Sequence, residues 1–188
     1  MLTTFIRAHP GLRVVARFVR RAVESVLAPD ITLFTLYYRL RLRKCGRRVA
    51  FSTTMIIRNP ENIEIGDDCS FSHFVILDAH DRITIGSQCM FANNVVISTA
   101  THDENINPMN SVMLSRPVTI GNNVWMGVGA TVLPGLSVGD GAIIGARALA
   151  TRDVPPGAVV VGVPGRIVRF RGLAGTAPEQ AAVGGEKE

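Results

Sequence analysis

Proton chemistry in this chain points first to His102, set between Thr101 and Asp103 in the stretch TATHDENINP. Imidazole is the side chain best able to accept a proton near neutral pH, which makes His102 a candidate general base. A loop histidine is ordinarily a solvated surface residue, so the surrounding pattern has to carry the argument. Such a base also needs a partner that orients the ring and fixes its tautomer. The adjacent Asp103 can do that, and so can His80 or Asp81 if the fold brings them to the same edge. Cys45, Cys69 and Cys89 are odd in number and lack CxxC spacing. They indicate neither a disulfide framework nor a zinc knuckle, and they suit a reducing compartment.

A repeat of six residues organises the chain around His102. Counting from Ile120, every sixth position is Ile120, Met126, Val132, Val138, Ile144 and Ala150. The following position reads Gly121, Gly127, Leu133, Gly139, Gly145 and Thr151, and the fifth of each hexad is Val124, Ala130, Leu136, Ala142, Ala148 and Val154. A large aliphatic residue, then often glycine, then a small or branched apolar residue is the pattern of a short strand followed by a tight corner. Both apolar positions are expected to point inward, with glycine supplying the unusual backbone angles of the corner. Gly139, Gly141 and Gly145 also spell GxGxxxG, but two of them are hexad corners and no amphipathic helix follows, so no nicotinamide site is expected.

The same register runs earlier as Ile65, Phe71, Leu77 and Ile85, Phe91, Ile97. Three hexads make one turn of a triangular coil. Taking Ile65, Ile85, Ile120 and Val138 as equivalent first faces leaves insertions of two and seventeen residues, both after a third face. That assigns His80, Asp81 and a loop at about 101–116 to one edge of the prism, which is where function is expected. Cys69 and Cys89 fall in one column with Val124 and Ala142 and read as small buried thiols.

The 188 residues are 47% hydrophobic and 19% charged, enough for one domain with a real core and too apolar for a disordered chain. Eighteen Gly and ten Pro beside two Tyr and one Trp suit a fold rich in corners and exclude a stacking surface for nucleic acid. The net charge of +5 is uneven: residues 1–50 carry eleven Lys+Arg and two acids, residues 51–188 nine and thirteen. A general nucleic-acid role is therefore not expected, while the basic front faces an anionic surface or an acidic part of its own oligomer.

The hexads, TATHDENINP and the run RPVTIGNNVWMGVGATVLPGLSVGDGAIIGARALATRDVPPGAVVVGVPGRIVR together resemble the hexapeptide-repeat acetyltransferases, over about residues 63–169. The relatives in view are the maltose, galactoside and nodulation-factor O-acetyltransferases and the xenobiotic and polysaccharide-modifying enzymes. The resemblance implies a mainly β fold, a left-handed parallel β-helix, assembled as a homotrimer with sites between subunits. It implies direct transfer of acetyl from acetyl-CoA to a hydroxyl of a sugar or polysaccharide precursor. His102 would be the base, with no metal and no acyl-enzyme. It carries Trp125 to the acetyl end of the cofactor, Gly127, Val128 and Ala146 to its arm, and Thr151, Arg152, Arg166 and Arg169 to its nucleotide, where guanidinium groups suit phosphate. The family's acceptor-holding asparagine has no match at Ser72 or His73, so Asn93 and His73 are the acceptor-binding candidates.

Three other readings stay open: N-acetylation of an amino sugar, a zinc-dependent carbonic anhydrase-like site using His73, His80 and His102, and a non-catalytic solenoid that only presents a binding face. The chain divides into a basic helical segment at 1–46, the β-helix at 47–172 and a disordered tail at 173–188. Apolar residues recur at helical spacing over 12–26 with arginines between them, an amphipathic basic helix that either lies on an anionic membrane or packs over the open end of the solenoid. Arginines interrupt any signal-like apolar run and no membrane span is expected, so the protein is read as cytoplasmic, with peripheral membrane contact as a further possibility.

Overall fold

The computed structural model describes residues 33–103 and 105–172. The amphipathic stretch expected at 12–26 and the tail expected from 173 lie outside them. After the helix Leu33–Arg41, short strands build three sheets. The first contains Lys44–Cys45, Ile63–Ile65, Ile83–Ile85, Val118–Ile120 and Ser137–Val138. The second contains Ala50–Phe51, Ser70–Phe71, Met90–Phe91, Trp125–Met126, Ile143–Ile144, Ala158–Val161 and Arg166–Phe170. The third contains Ile56–Arg58, Ile76–Asp78, Val96–Ser98, Thr131–Val132 and Leu149–Ala150. Each turn of the chain lays one strand on each sheet, so the molecule is a three-sided parallel β-solenoid. Only its closing pair, Ala158–Val161 with Arg166–Phe170, is antiparallel among these sheets.

The register follows the hexads. Ile65 pairs with Ile85, Ile85 with Ile120 and Ile120 with Val138, as their spacing predicts. Ile120, Met126, Val132, Val138, Ile144 and Ala150 are all buried, as are Val124, Ala130, Ala142, Ala148 and Val154 at the fifth position. Leu136 is only partly covered. Inside the second sheet the same column is aromatic at one end: Tyr38 of the helix leans on Phe51, which stacks on Phe71 at 5.5 Å, which stacks on Phe91 at 4.5 Å. Cys69 and Cys89 are buried free thiols that point at the next coil's backbone, donating to Gly86 O and Gly121 O at 3.1 Å.

Three edges join the sheets. Edge one lies between the first and second sheets, edge two between the second and third, and edge three returns to the first. The glycines of edge one correct the sequence reading. Gly46, Gly66, Gly86, Gly121 and Gly139 do not supply left-handed backbone; that conformation falls two residues later, at Arg48, Asp68, Gln88, Asn123 and Gly141. What requires glycine is close approach: a Cβ on Gly86 would lie 2.7 Å from the backbone of Gly121, and one on Gly66 2.7 Å from that of Gly86. Beside this column runs a relay in which each coil donates a backbone N–H to a side chain of the next. Arg47 N donates to Asp67 Oδ1, Asp67 N to Ser87 Oγ, Ser87 N to Asn122 Oδ1 and Asn122 N to Asp140 Oδ1. The Asp67 carboxyl is held below the usual carboxylate range, first by the Arg47 N–H and then by the Arg47 guanidinium.

Gly86→Ala is therefore expected to lower unfolding stability by about 1–3 kcal/mol, since backbone rather than a flexible side chain must yield. Gly172→Ala, which meets nothing within 4 Å, should leave it unchanged. Chemical denaturation of the two variants checks both.

Candidate functional site

Residues 99–117 leave the prism at edge three, between the third and fourth coils. Thr99 anchors the departure. It is fully buried, donates through N and Oγ1 to Asp78 O at 3.0 and 3.1 Å, and accepts from Asp81 N at 2.9 Å. The return is fixed by Arg116 N donating to Thr99 O at 2.8 Å. Beyond this clamp the chain forms an antiparallel hairpin in which Ala100–His102 pairs with Met113–Ser115, His102 opposite Met113. Next to it, Asp103 Oδ1 accepts from Asn105 N and Nδ2 at 2.9 and 3.1 Å, so Asp103 shapes the turn.

His102 Nδ1 lies 3.1 Å from Val112 O, across the hairpin. A carbonyl oxygen can only accept, so Nδ1 carries the hydrogen and the Nε2 lone pair is left free. The orienting group is thus a backbone carbonyl, and none of the three side chains considered from sequence is bonded to the ring. Asp81 Oδ1 accepts from its neighbour Arg82 N at 2.6 Å. His80 Nε2 is 3.5 Å from Asp78 Oδ1, and Arg58 Nη1 is 4.0 Å from Asp78 Oδ2. No pattern of side-chain types announces a carbonyl as a partner; the only sequence trace of it is an inserted loop long enough to fold back on itself.

The acceptor candidates lie on a different edge. His73 and Asn93 occupy edge two of the second and third coils. His73 Nδ1 is 2.8 Å from Ser52 Oγ and 3.1 Å from Thr54 Oγ1. Asn93 Oδ1 accepts from Ser72 Oγ and from His73 N. One chain therefore does not bring His73 together with His80 and His102. Among the described residues no group of three His, Cys, Asp or Glu side chains converges to hold a metal.

The cofactor candidates divide in the same way. Trp125 is half-exposed on the outer side of the second sheet, with Met90 and Ile143 as its neighbours in register. Gly127, Val128 and Ala146 form edge two of the fourth and fifth coils. There a Cβ on Gly127 would come 2.7 Å from Ala146 N. Thr151 and Arg152 belong to edge three of the fifth coil, the edge that carries His102 two coils away. A cleft of about 180 Å³ is lined by Thr151, Arg152, Asp153, Gly165, Arg166 and Ile167, so three of the four expected nucleotide contacts do meet. Arg169, paired with Val159 in the closing hairpin, does not line it.

Comparison with known proteins agrees with this architecture. Residues 117–146 match a family model described as the hexapeptide repeat of succinyl-transferase. The chain is 48% identical to galactoside O-acetyltransferase of Escherichia coli over 60 residues, 32% of this chain and 30% of that protein. It spans about a third of the length of the curated relatives it matches. Among solved structures, a maltose O-acetyltransferase from Clostridium difficile is 33% identical with a TM-score of 0.67, covering 71% of this chain and 72% of that one. A galactoside acetyltransferase in complex with coenzyme A is 31% identical with a TM-score of 0.68, covering 71% and 67%.

If the Val112 carbonyl sets the ring, imidazole nitrogen NMR of the full chain with the ring neutral should show the Nδ1–H tautomer. A predominant Nε2–H form would contradict the geometry.

Proposed function

Because this chain belongs to the hexapeptide-repeat acetyltransferases, we propose that it transfers acetyl from acetyl-CoA to a hydroxyl of a sugar or polysaccharide precursor. The observation that carries this reading is His102, held by Val112 O with Nε2 open, on the same edge as Arg152. Nε2 takes the proton of the acceptor hydroxyl as its oxygen attacks the thioester carbonyl. The carbon–sulfur bond then breaks, and the CoA thiolate leaves with the proton that His102 returns. A thioester is already activated, so orientation and a base suffice, without a metal or an acyl-enzyme. The solved relatives named for maltose and galactoside support a carbohydrate acceptor, and the one bound to coenzyme A supports the donor.

The division of the cofactor residues between two edges supports a site shared by copies of the chain. Gly127, Val128 and Ala146 would hold the CoA arm on edge two of one protomer, with Trp125 near the acetyl end. The neighbour would offer edge three with His102, and Thr151, Arg152, Arg166 and Arg169 would meet the phosphates. Phe74, Met90, Trp125 and Val128 expose about half of their surface on or beside edge two, an apolar strip suited to a homotrimer contact. Among the described residues no helix is long and apolar enough to cross a membrane. We assign the reaction to the cytoplasm, whose reducing conditions suit the free cysteines.

Acceptor-dependent thiol release from acetyl-CoA tests the reading, with sugars and amino sugars in the screen. His102→Ala should lower turnover by roughly 10² to 10⁴ without changing assembly. Arg152→Ala with Arg166→Ala should mainly raise the KM for acetyl-CoA. Unchanged turnover in His102→Ala would reject the base, and release only with amino acceptors would move the reaction to N-acetylation.

A further inference from the structure

The helix Leu33–Arg41 closes one end of the solenoid, where Tyr38 caps the aromatic stack. Its inner side buries Thr35 and Tyr38, and Leu42 follows them into the core. The outer side does the opposite: Leu36 is 43%, Tyr37 49% and Leu40 78% exposed. Helical spacing gathers these three into one stripe. Arg41 borders it, donating to Tyr37 Oη at 2.8 Å with its guanidinium carbon 5.6 Å from the ring centre. Lys44, just beyond the helix, is exposed.

Charge on this end is one-sided. Residues 33–48 hold six Lys+Arg and no Asp or Glu. Arg43, Arg47 and Arg48 are answered by Glu64, Asp67 and Asp68 of the next coil. Arg41 and Lys44 flank the apolar stripe itself.

We propose that this end of the solenoid rests on an anionic membrane surface, with Leu36, Tyr37 and Leu40 entering the interface and Arg41 and Lys44 facing lipid phosphates. Leucines beside a tyrosine and basic side chains are the composition of an interfacial helix. An apolar protein partner would account for the stripe but not for Arg41 and Lys44 at its border. A soluble polyanion would account for the cations but not for Leu40. The coil axis then stands away from the membrane. The His102 hairpin leaves the third coil, two steps of about 4.8 Å from the first, beyond a helix about 10 Å thick. The point where the His102 hairpin leaves edge three is thus about 20 Å from the lipid surface, within reach of a saccharide carried on a lipid. The docking does not depend on acetyl transfer, and a His102→Ala chain should dock equally well.

Co-sedimentation of the full chain with vesicles tests this. The chain should bind phosphatidylcholine vesicles containing about a third phosphatidylserine, and bind pure phosphatidylcholine far less, with the binding weakened by salt. Leu36→Ser with Leu40→Ser should weaken it about tenfold, and Lys44→Glu should also reduce it, with thermal unfolding of both variants unchanged. No binding to the anionic vesicles would overturn the proposal. So would full-strength binding by the leucine variant, which would move the contact to residues 1–32, or retention by a soluble sulfated glycan that outcompetes the vesicles.

Discussion

Neighbouring coils of this protein approach so closely at edge one that the backbone of one occupies the volume a side chain of the other would need. Gly46, Gly66, Gly86, Gly121 and Gly139 are the result. The same hydrogen-bonded spacing fixes the corners of edges one and two at four residues in each of the first five coils. Added chain can leave only where the corner is free to vary, and that is edge three. The clamp of Thr99 on Asp78 and Asp81 then converts a long insertion into a rigid hairpin, and the hairpin fixes the ring of His102. Rigid coils below and a short two-stranded arm above are what allow a single exposed imidazole to be presented in one orientation.

Much of this was legible in the residues. The Ile–Gly spacing gave the equivalent first faces, the buried columns and the insertion after the third face, because burial and close packing act on residue type directly. The first coil was harder to see: Cys45 and Gly46 stand where Ile65 and Gly66 stand one turn later, so a cysteine replaces the large aliphatic residue that marks the first face in the other coils. The two extra residues near His80 do not enlarge the corner. They lengthen Ile76–Asp78 and Ile83–Ile85 on either side of edge three, which has four corner residues there, 79–82, as it has at 133–136.

The site was legible only in part. His102 announced itself by type and motif, but its partner is a peptide carbonyl, and every peptide offers one. Asp103 had the right chemistry and is engaged with Asn105. Asn93 proved to be a link between coils, satisfied by Ser72 and His73. Position along a solenoid also settles what sequence order hides: Trp125, Val128 and Arg152 are close in the chain yet lie on a face and two different edges. On the proposed reading, residues divided in this way would meet in one site across a contact between copies.

That division makes the proposed shared site directly measurable. His102→Ala would remove the base from edge three, while Ala146→Glu would put a carboxylate where the cofactor arm is proposed to run along edge two. Each variant alone should be nearly inactive. Co-expressed so that mixed oligomers form, the two should recover part of the acetyl transfer, because some contacts then unite an intact edge three with an intact edge two. Mixed oligomers as inactive as either parent would mean that both edges must belong to one chain, and the account of a site between protomers would be wrong.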